Sequence, residues 1–383
     1  MKKSVMTSWI AVILLTACQK RVEIPPTKNT SQEKQQPSRC GMKEAMANLS
    51  PEIRSALASK GEATTFQAAE LLLFLDFDGA FVRPGFPNPT GSVSSIVTGV
   101  RYCPQPSLTQ AQIIEIIELV KDDYSPFKIQ VTTDQAVFDA YTPTRNKELC
   151  IITTVPSVIG MPSGVGGVAP WYGPGIRAPY DPSFVFANLY GGNLRDIALT
   201  VSQEVAHTFG LDHQHYYNEE DCHFIFEYHP GFGTGPLSFA PIMGGGFNKR
   251  ISNWYGQSCE VQNDFVFLNN QVELKPDDFP DSPTGNTSIN ANEINGVLEQ
   301  TGDMDFMRIN FRNPGPVTIS SENIDIKVSL YTMGGHLLAE YDDPDDTNVT
   351  IPSANGMRYL KIEAVSNANM SSQFMTGQYK VFY

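Results

Sequence analysis

Basic side chains are scarce. The 383 residues carry 27 lysines and arginines against 41 aspartates and glutamates, a formal net charge of −14. A nucleic-acid binder needs cationic surface to displace counterions, so that class is excluded and no nucleic-acid partner is expected. Long apolar runs are missing after the first 20 residues, which leaves no segment with the length of a membrane-spanning helix. Cysteine is sparse, with six residues in all and none after Cys259. Disorder is excluded too, because 41% of the residues are hydrophobic and only 18% charged, enough to build packed cores. Glycine (30) and proline (27), by contrast, are plentiful and suit a loop-rich or β-rich exported chain.

The first residues read as an address. Lys2 and Lys3 precede an apolar stretch, Trp9 to Leu15, and small residues lead to Cys18. A basic start, a short apolar core and a small-residue cut site describe a secretory signal over 1–17. Leu15-Thr16-Ala17-Cys18 resembles the lipobox of bacterial lipoproteins, which implies lipidation of Cys18 and a membrane partner through that lipid. Gln19, where an inner-membrane retention signal would place Asp, points to a cell-envelope lipoprotein of the outer membrane. Residues 18–40 are polar, with three prolines in the stretch Lys20 to Pro37, and read as a tether.

Strand and helix signals alternate in the middle of the chain. Leu71 to Leu75, Phe127 to Val131 and Leu149 to Val155 read as strands, and Thr109 to Val120 as a helix with Ile113, Ile116, Ile117 and Val120 on one face. Residues 160–182 are dense in Gly and Pro and predict a loop. Phe184 to Ala187 predicts a short edge strand. Asn193 caps a helix that runs to about Phe209, where Gly210 ends it.

That helix carries Gln203-Glu204-Val205-Ala206-His207-Thr208-Phe209-Gly210-Leu211-Asp212-His213. Positions 203 and 207 share a helical face, and Gly210 lets the chain turn back and present His213 to the same point. This is the layout of a three-ligand zinc site with a carboxylate at its edge. It resembles the metzincin metallopeptidases, whose pattern is H-E-x-x-H-x-x-G-x-x-H, with Gln203 replacing the first histidine. Thirty residues beyond His213, Ala240-Pro241-Ile242-Met243-Gly244 offers the Met-turn of that family. Leu75-Asp76-Phe77-Asp78-Gly79 and the phrase from Asp123 to Thr133 are similar to phrases in secreted bacterial members, so the resemblance covers about 70–270. It implies zinc at His207, His213 and Gln203, Glu204 as the general base, and Met243 beneath the metal without ligating it. An amide oxygen is a weaker donor than imidazole. Three outcomes stay open: ligation by Gln203, a third bond from His215, Asp212 or His223, or no metal. His229, like His215 and His223, reads as a surface or loop residue.

Cys222 and Cys259 flank the Met243 segment, and the pairs Cys222–Cys259 and Cys103–Cys150 are the expected disulfides of an exported chain. Asp76-Phe77-Asp78-Gly79 also resembles the first motif of haloacid-dehalogenase-like phosphatases, but no later lysine and acidic motifs follow; a turn cap or structural cation is the better reading. Asp342-Asp343-Pro344-Asp345-Asp346 offers the oxygen ligands calcium takes, against the plainer reading of an acidic turn in water.

A Pro/Asp-rich linker, Lys275 to Pro283, precedes a segment of alternating strands: Ile324 to Leu330; Met307, Ile309 and Phe311; Leu360, Ile362 and Ala364; Tyr379, Val381 and Tyr383. This predicts a β-sandwich. Asn295 to Phe306 and Gly356 to Glu363 resemble the prepeptidase C-terminal domain of secreted bacterial proteases, an accessory module in that family. The expected architecture is therefore an α+β metzincin-like (zincin) domain with a mixed sheet and an active-site helix over 41–274, then a C-terminal all-β sandwich over 282–383. The expected function is a lipid-anchored zinc endopeptidase acting on a peptide or protein substrate. The alternative is a non-catalytic descendant that binds through its cleft and β-sandwich.

Overall fold

The computed structural model describes residues 70–142, 146–218, 220–257, 259, 262–283, 288–289 and 292–383. The signal segment 1–17, Cys18, the tether 18–40 and the first part of the expected catalytic domain, 41–69, lie outside the described residues.

The N-terminal body is built on a five-stranded sheet in the order Ile129–Thr132, Leu71–Asp76, Lys147–Thr153, Ser183–Phe186, Gly167–Val168. The first four strands are parallel and Gly167–Val168 is antiparallel to its neighbour. Helices cross over between parallel strands because a hairpin cannot join them. Leu71–Asp76 is buried on both faces, as its continuous apolar run requires.

Alternation along the strands creates two cores. Leu71, Leu73, Leu75, Cys150, Ile152 and Val185 face two long helices, α1 (Gln110–Asp123) and, after the short α2 (Gln135–Ala140), α3 (Leu194–Thr208). Leu72, Phe74, Leu149, Ile151, Phe184 and Phe186 pack on the other side with Phe138 and Trp171. α1 begins at a capping box in which Thr109 and Gln112 exchange hydrogen bonds, satisfying donors the helix cannot. A fourth helix, α4 (Asp264–Asn269), is capped by Asn263.

Two expectations are corrected here. Ser183–Phe186 is not the edge strand: it lies between Lys147–Thr153 and Gly167–Val168, and the edge falls inside the Gly/Pro-rich loop. Cys103 and Cys150 are separate buried thiols, not a disulfide. Cys150 faces the helices and Cys103 packs in the core on the opposite side of the sheet, so the sheet itself keeps them apart. Cys222 and Cys259 are joined, with Cα atoms 5.2 Å apart.

The C-terminal body is one antiparallel sheet in the order Glu293–Leu298, Gly377–Phe382, Met304–Ser321, Val349–Ala364, Ile326–Tyr331, Leu337–Asp342, with Ser288–Ile289 paired parallel to Met304–Ser321. It stands where a sandwich of two sheets was expected. The two long strands, Met304–Ser321 and Val349–Ala364, pair along most of their length, with register shifts between Phe311 and Val317. Such irregularities bend a strand. The sheet therefore curls around its own core, which includes Met307, Ile309, Val317, Ile319, Leu360 and Ile362.

The bodies meet through apolar contacts, Phe239, Ile251 and Tyr255 joining the core of the C-terminal sheet, and through polar ones. Asn323 Nδ2 donates to Asp123 Oδ1 (3.0 Å), the Gln378 amide to Asp122 Oδ1 (3.1 Å) and Asn253 Nδ2 to the Thr376 carbonyl (2.8 Å). Arg195 and Arg250 both pair with Glu322. Among the described residues no helix is long and apolar enough to cross a membrane.

Candidate metal centre and its surroundings

α3 presents the site. Asn193 caps its N-terminus, its side chain accepting from the Asp196 amide and donating to the Asp196 carboxylate at 2.8 Å. The helix is buried along almost all its length, with Tyr124 Oη donating to the Ser202 carbonyl at 2.9 Å. A helix so enclosed holds its side chains in fixed rotamers, which is what a metal or catalytic site needs.

The helix stops at Gly210, whose φ is +84°. A Cβ there would lie 2.5 Å from the Ile176 nitrogen and 2.6 Å from both the Gly173 oxygen and the Gly175 nitrogen. Glycine is thus required both by conformation and by space. The chain then doubles back. The Leu211 carbonyl meets His207 Nδ1 at 2.8 Å, and Asp212 Oδ1 accepts from the His213 amide at 2.8 Å. Gln262 clamps this loop: its Oε1 accepts from the Asp212 amide and its Nε2 donates to the Asp212 carbonyl, both at 2.8 Å.

His207 and His213 converge. Their Nε2 atoms are 3.0 Å apart and their rings meet edge to face, with centroids 4.7 Å apart. The bond from Nδ1 to a carbonyl makes Nδ1 of His207 the protonated nitrogen, so its Nε2 carries the lone pair. Burial lowers His207 to about 4, opposed by the Leu211 carbonyl and Asp212. Burial, then His207 and His215, hold His213 well below the usual range. Both rings are neutral at pH 7, the form that ligates metal.

Gln203 lies one turn before His207. Its Nε2 donates to the Gly244 carbonyl at 3.1 Å, so its oxygen is the atom it could offer a cation. Gly244 belongs to the turn after Phe239–Pro241, a strand paired parallel with Ile251–Asn253. Met243 in this turn is fully buried, and its carbonyl accepts from the Gln214 amide at 2.8 Å. The turn is pressed against the helix and the loop below it: a Cβ on Gly246 would lie 2.9 Å from Leu199, and one on Gly244 would lie 2.6 Å from the His229 carbonyl.

Glu204 is buried and packs on the edge strand. A Cβ on Gly167 would lie 2.6 Å from Glu204 Cγ and Oε1. This contact was not foreseen, because the edge strand was expected elsewhere. Tyr228, whose ring centroid is 4.3 Å from that of His213, is a second residue with no signal in the sequence.

The other candidate ligands do not join the imidazoles. His215 packs against Tyr217 and Phe224. Asp212 is engaged in the loop, and His223 is exposed. His229 is not a surface residue: it sits in an aromatic cluster with Tyr216, Phe232 and Tyr255, and its Nδ1 accepts from the Gly231 amide. Asp76 caps a turn, accepting from the Asp78 and Gly79 amides at 3.1 and 3.2 Å. The donors that converge are therefore two neutral imidazoles, with the Gln203 amide one turn earlier on the same helix. Two imidazole nitrogens suit zinc and make a weaker set than three.

Among the described residues, groups of three carboxylates with ligand atoms within 4.8 Å occur at Asp277, Asp278 and Glu299, and at Asp277, Asp303 and Asp305. Among the described residues the turn Asp342–Asp346 gathers no such group. Burial pushes Glu299 up to about 9, with Asp303 and Asp278 adding to it, and burial pushes Asp305 up to about 9 despite the hydrogen bond from Tyr379. Glu299 is only 3% exposed, and its carboxyl lies against that of Asp303. An all-oxygen set of this kind suits calcium.

No family model and no curated protein matches this chain. Among solved structures, it is similar to the pre-peptidase C-terminal domain of a collagenase from Bacillus anthracis. The match has 19% identity and a TM-score of 0.20, and covers 27% of this chain and 97% of that one.

Proposed function

We propose that this chain is an exported, lipid-anchored zinc endopeptidase of metzincin type, attached to the outer membrane of the cell envelope through Cys18. The observation that supports it most is the pair of imidazole Nε2 atoms 3.0 Å apart, with Glu204 on the same helix at the sheet edge. His207, His213 and the oxygen of Gln203 would hold the ion. Zinc there would supply Lewis acidity to a peptide carbonyl and to water.

The chain's own residues do the rest. Glu204 accepts the proton of the attacking water and returns it to the leaving amine. Gly167–Val168, whose far side is unpaired within the sheet, adds the substrate as a further strand and lays its scissile bond across α3. Gly167 lets that strand approach Glu204 closely, since any side chain would collide with the carboxylate. The Leu211 carbonyl and the Gln262 clamp orient the two imidazoles. Calcium at the Asp277, Asp278 and Glu299 group would stabilise the C-terminal body.

One observation favours the second reading, a non-catalytic peptide-binding descendant: the amide of Gln203 is engaged with the Gly244 carbonyl. Zinc stoichiometry of the purified chain, followed by peptide cleavage with and without Glu204→Ala, decides between them. One zinc per chain and cleavage lost in the variant support the enzyme. A metal-free chain at micromolar zinc, with no cleavage, leaves binding as the function.

A further inference from the structure

A cavity of about 340 Å³ opens where the Thr234–Leu237 loop of the N-terminal body faces the C-terminal sheet. Its walls include Thr234, Asp325, Asp342, Asp345, Asn367 and Asn369. Asp342 and Asp345 stand on an exposed turn, whereas Asp325 is only 2% exposed. Asn367 Nδ2 donates to Asp325 Oδ2 at 2.8 Å, and Asp325 Oδ1 has no hydrogen-bond partner. Asn367 Oδ1 accepts from the amides of Asn369 and Met370, which fixes the side chain with Nδ2 toward Asp325 Oδ2. A buried carboxylate with half its hydrogen-bonding capacity unused is costly unless something cationic reaches it.

The occupant's size and shape follow from the walls. The space is roughly ten times the share of liquid volume of one water, too large for a bare ion alone. Among the described residues, Asp325, Asp342 and Asp345 do not form a group whose oxygens could share one metal. Acidic walls that are too far apart for a metal suit a cation that spreads its donors over several directions. A guanidinium does so, with five N–H donors in a rigid plane, whereas an ammonium is a compact point.

We propose that this cavity binds the guanidinium of an arginine side chain presented by a peptide or protein, with Asp325 as its buried partner and Asp342 and Asp345 at the rim. Burial, reinforced by Asp342 and Asp343, pushes Asp325 up to about 6, and a bound cation would relieve it. The seat is built from both bodies, so it would hold a basic segment away from the α3 centre. It stands independently of the peptidase reading, because it concerns binding and not cleavage.

The test uses the full chain carrying Glu204→Ala, so that no peptide is consumed. Calorimetry compares a blocked Gly-Arg-Gly peptide with the same peptide bearing citrulline, which keeps the shape and loses the charge, and with a lysine version. The arginine peptide is expected to bind at least tenfold more tightly than the citrulline peptide, and more tightly than the lysine one. Asp325→Asn is expected to remove that preference. If that variant fails to fold, Asp342→Asn with Asp345→Asn, both on the exposed turn, is expected to weaken arginine binding several-fold. Equal affinity for arginine and citrulline, lysine binding as tight as arginine, or unchanged affinity in the folded variants would each overturn the proposal.

Discussion

Replacing Gln203 by histidine separates two effects that the site geometry ties together. Position 203 lies one turn before His207, on the face that meets the Met243 turn. In Gln203→His the hydrogen bond from Nε2 to the Gly244 carbonyl is lost. A neutral buried hydrogen bond is worth about 1 kcal/mol, so the metal-free variant should be less stable by that amount. A third imidazole should more than offset this once zinc is present. Changing a residue behind a metal ligand typically alters affinity 10–100-fold, so changing the ligand itself should tighten binding by at least about 100-fold. At saturating zinc that corresponds to about 2.7 kcal/mol of extra stability. The two terms predict a crossing: a lower Tm than the parent under chelator and a higher one in excess zinc. Thermal scans with and without zinc, with competition against a zinc-binding dye, read both. A folded variant that binds zinc no more tightly than the parent would refute the placement of residue 203 beside the two imidazoles.

Further outcomes follow from the same contacts. Gly210→Ala forces a Cβ against the backbone of the 173–176 loop at a positive φ, and should cost about 1–3 kcal/mol and weaken zinc binding as His213 shifts, measured by denaturation and metal titration. Asp123 is pushed up to about 7 by burial, opposed first by the Ser202 hydroxyl, so its folded pKa lies above its unfolded value. Its contribution to stability is therefore fully present below about pH 4 and is lost as pH rises to about 7. Asp123→Asn, which mimics the protonated form, should flatten that decline in urea titrations, and an unchanged slope would contradict it. Calcium at about 100 times its Kd should add about 2.7 kcal/mol to the C-terminal body, and Glu299→Gln should abolish the gain. The absence of any calcium-dependent shift in Tm would remove that site.

Much of the centre was legible because it is local. A helix spacing of four and a glycine past the helix end bring His207 and His213 together within seven residues of chain, and no distant partner needs to be known. The Met243 turn was legible as a phrase, but the sequence carried no sign that the Gly244 carbonyl would take the Gln203 amide. What was misread depends on pairing between segments far apart. Gly167–Val168 is two residues long and sits among glycines, so it shows no alternation, and Phe184 to Ala187 has the stronger strand signal although it is not the edge. Cys103 and Cys150 are each buried, and only the sheet topology puts them on opposite faces. His229 lies in a polar stretch of sequence, yet three aromatic rings from separate segments close over it. Glu299 and Asp303 are held by one tight turn, the Glu299 amide donating to Asp303 Oδ2 at 2.7 Å, and each meets Asp277 from a distant segment, whereas the denser acidic run at Asp342–Asp346 gathers no such group.

What lies between the two imidazoles decides the proposed function. Crystals of the purified chain grown with zinc, measured on both sides of the zinc absorption edge, test it directly. One anomalous peak is expected about 2.1 Å from both His207 Nε2 and His213 Nε2, with Gln203 Oε1 as a further neighbour. No peak there, with the two rings hydrogen-bonded to each other at their present 3.0 Å, would contradict it.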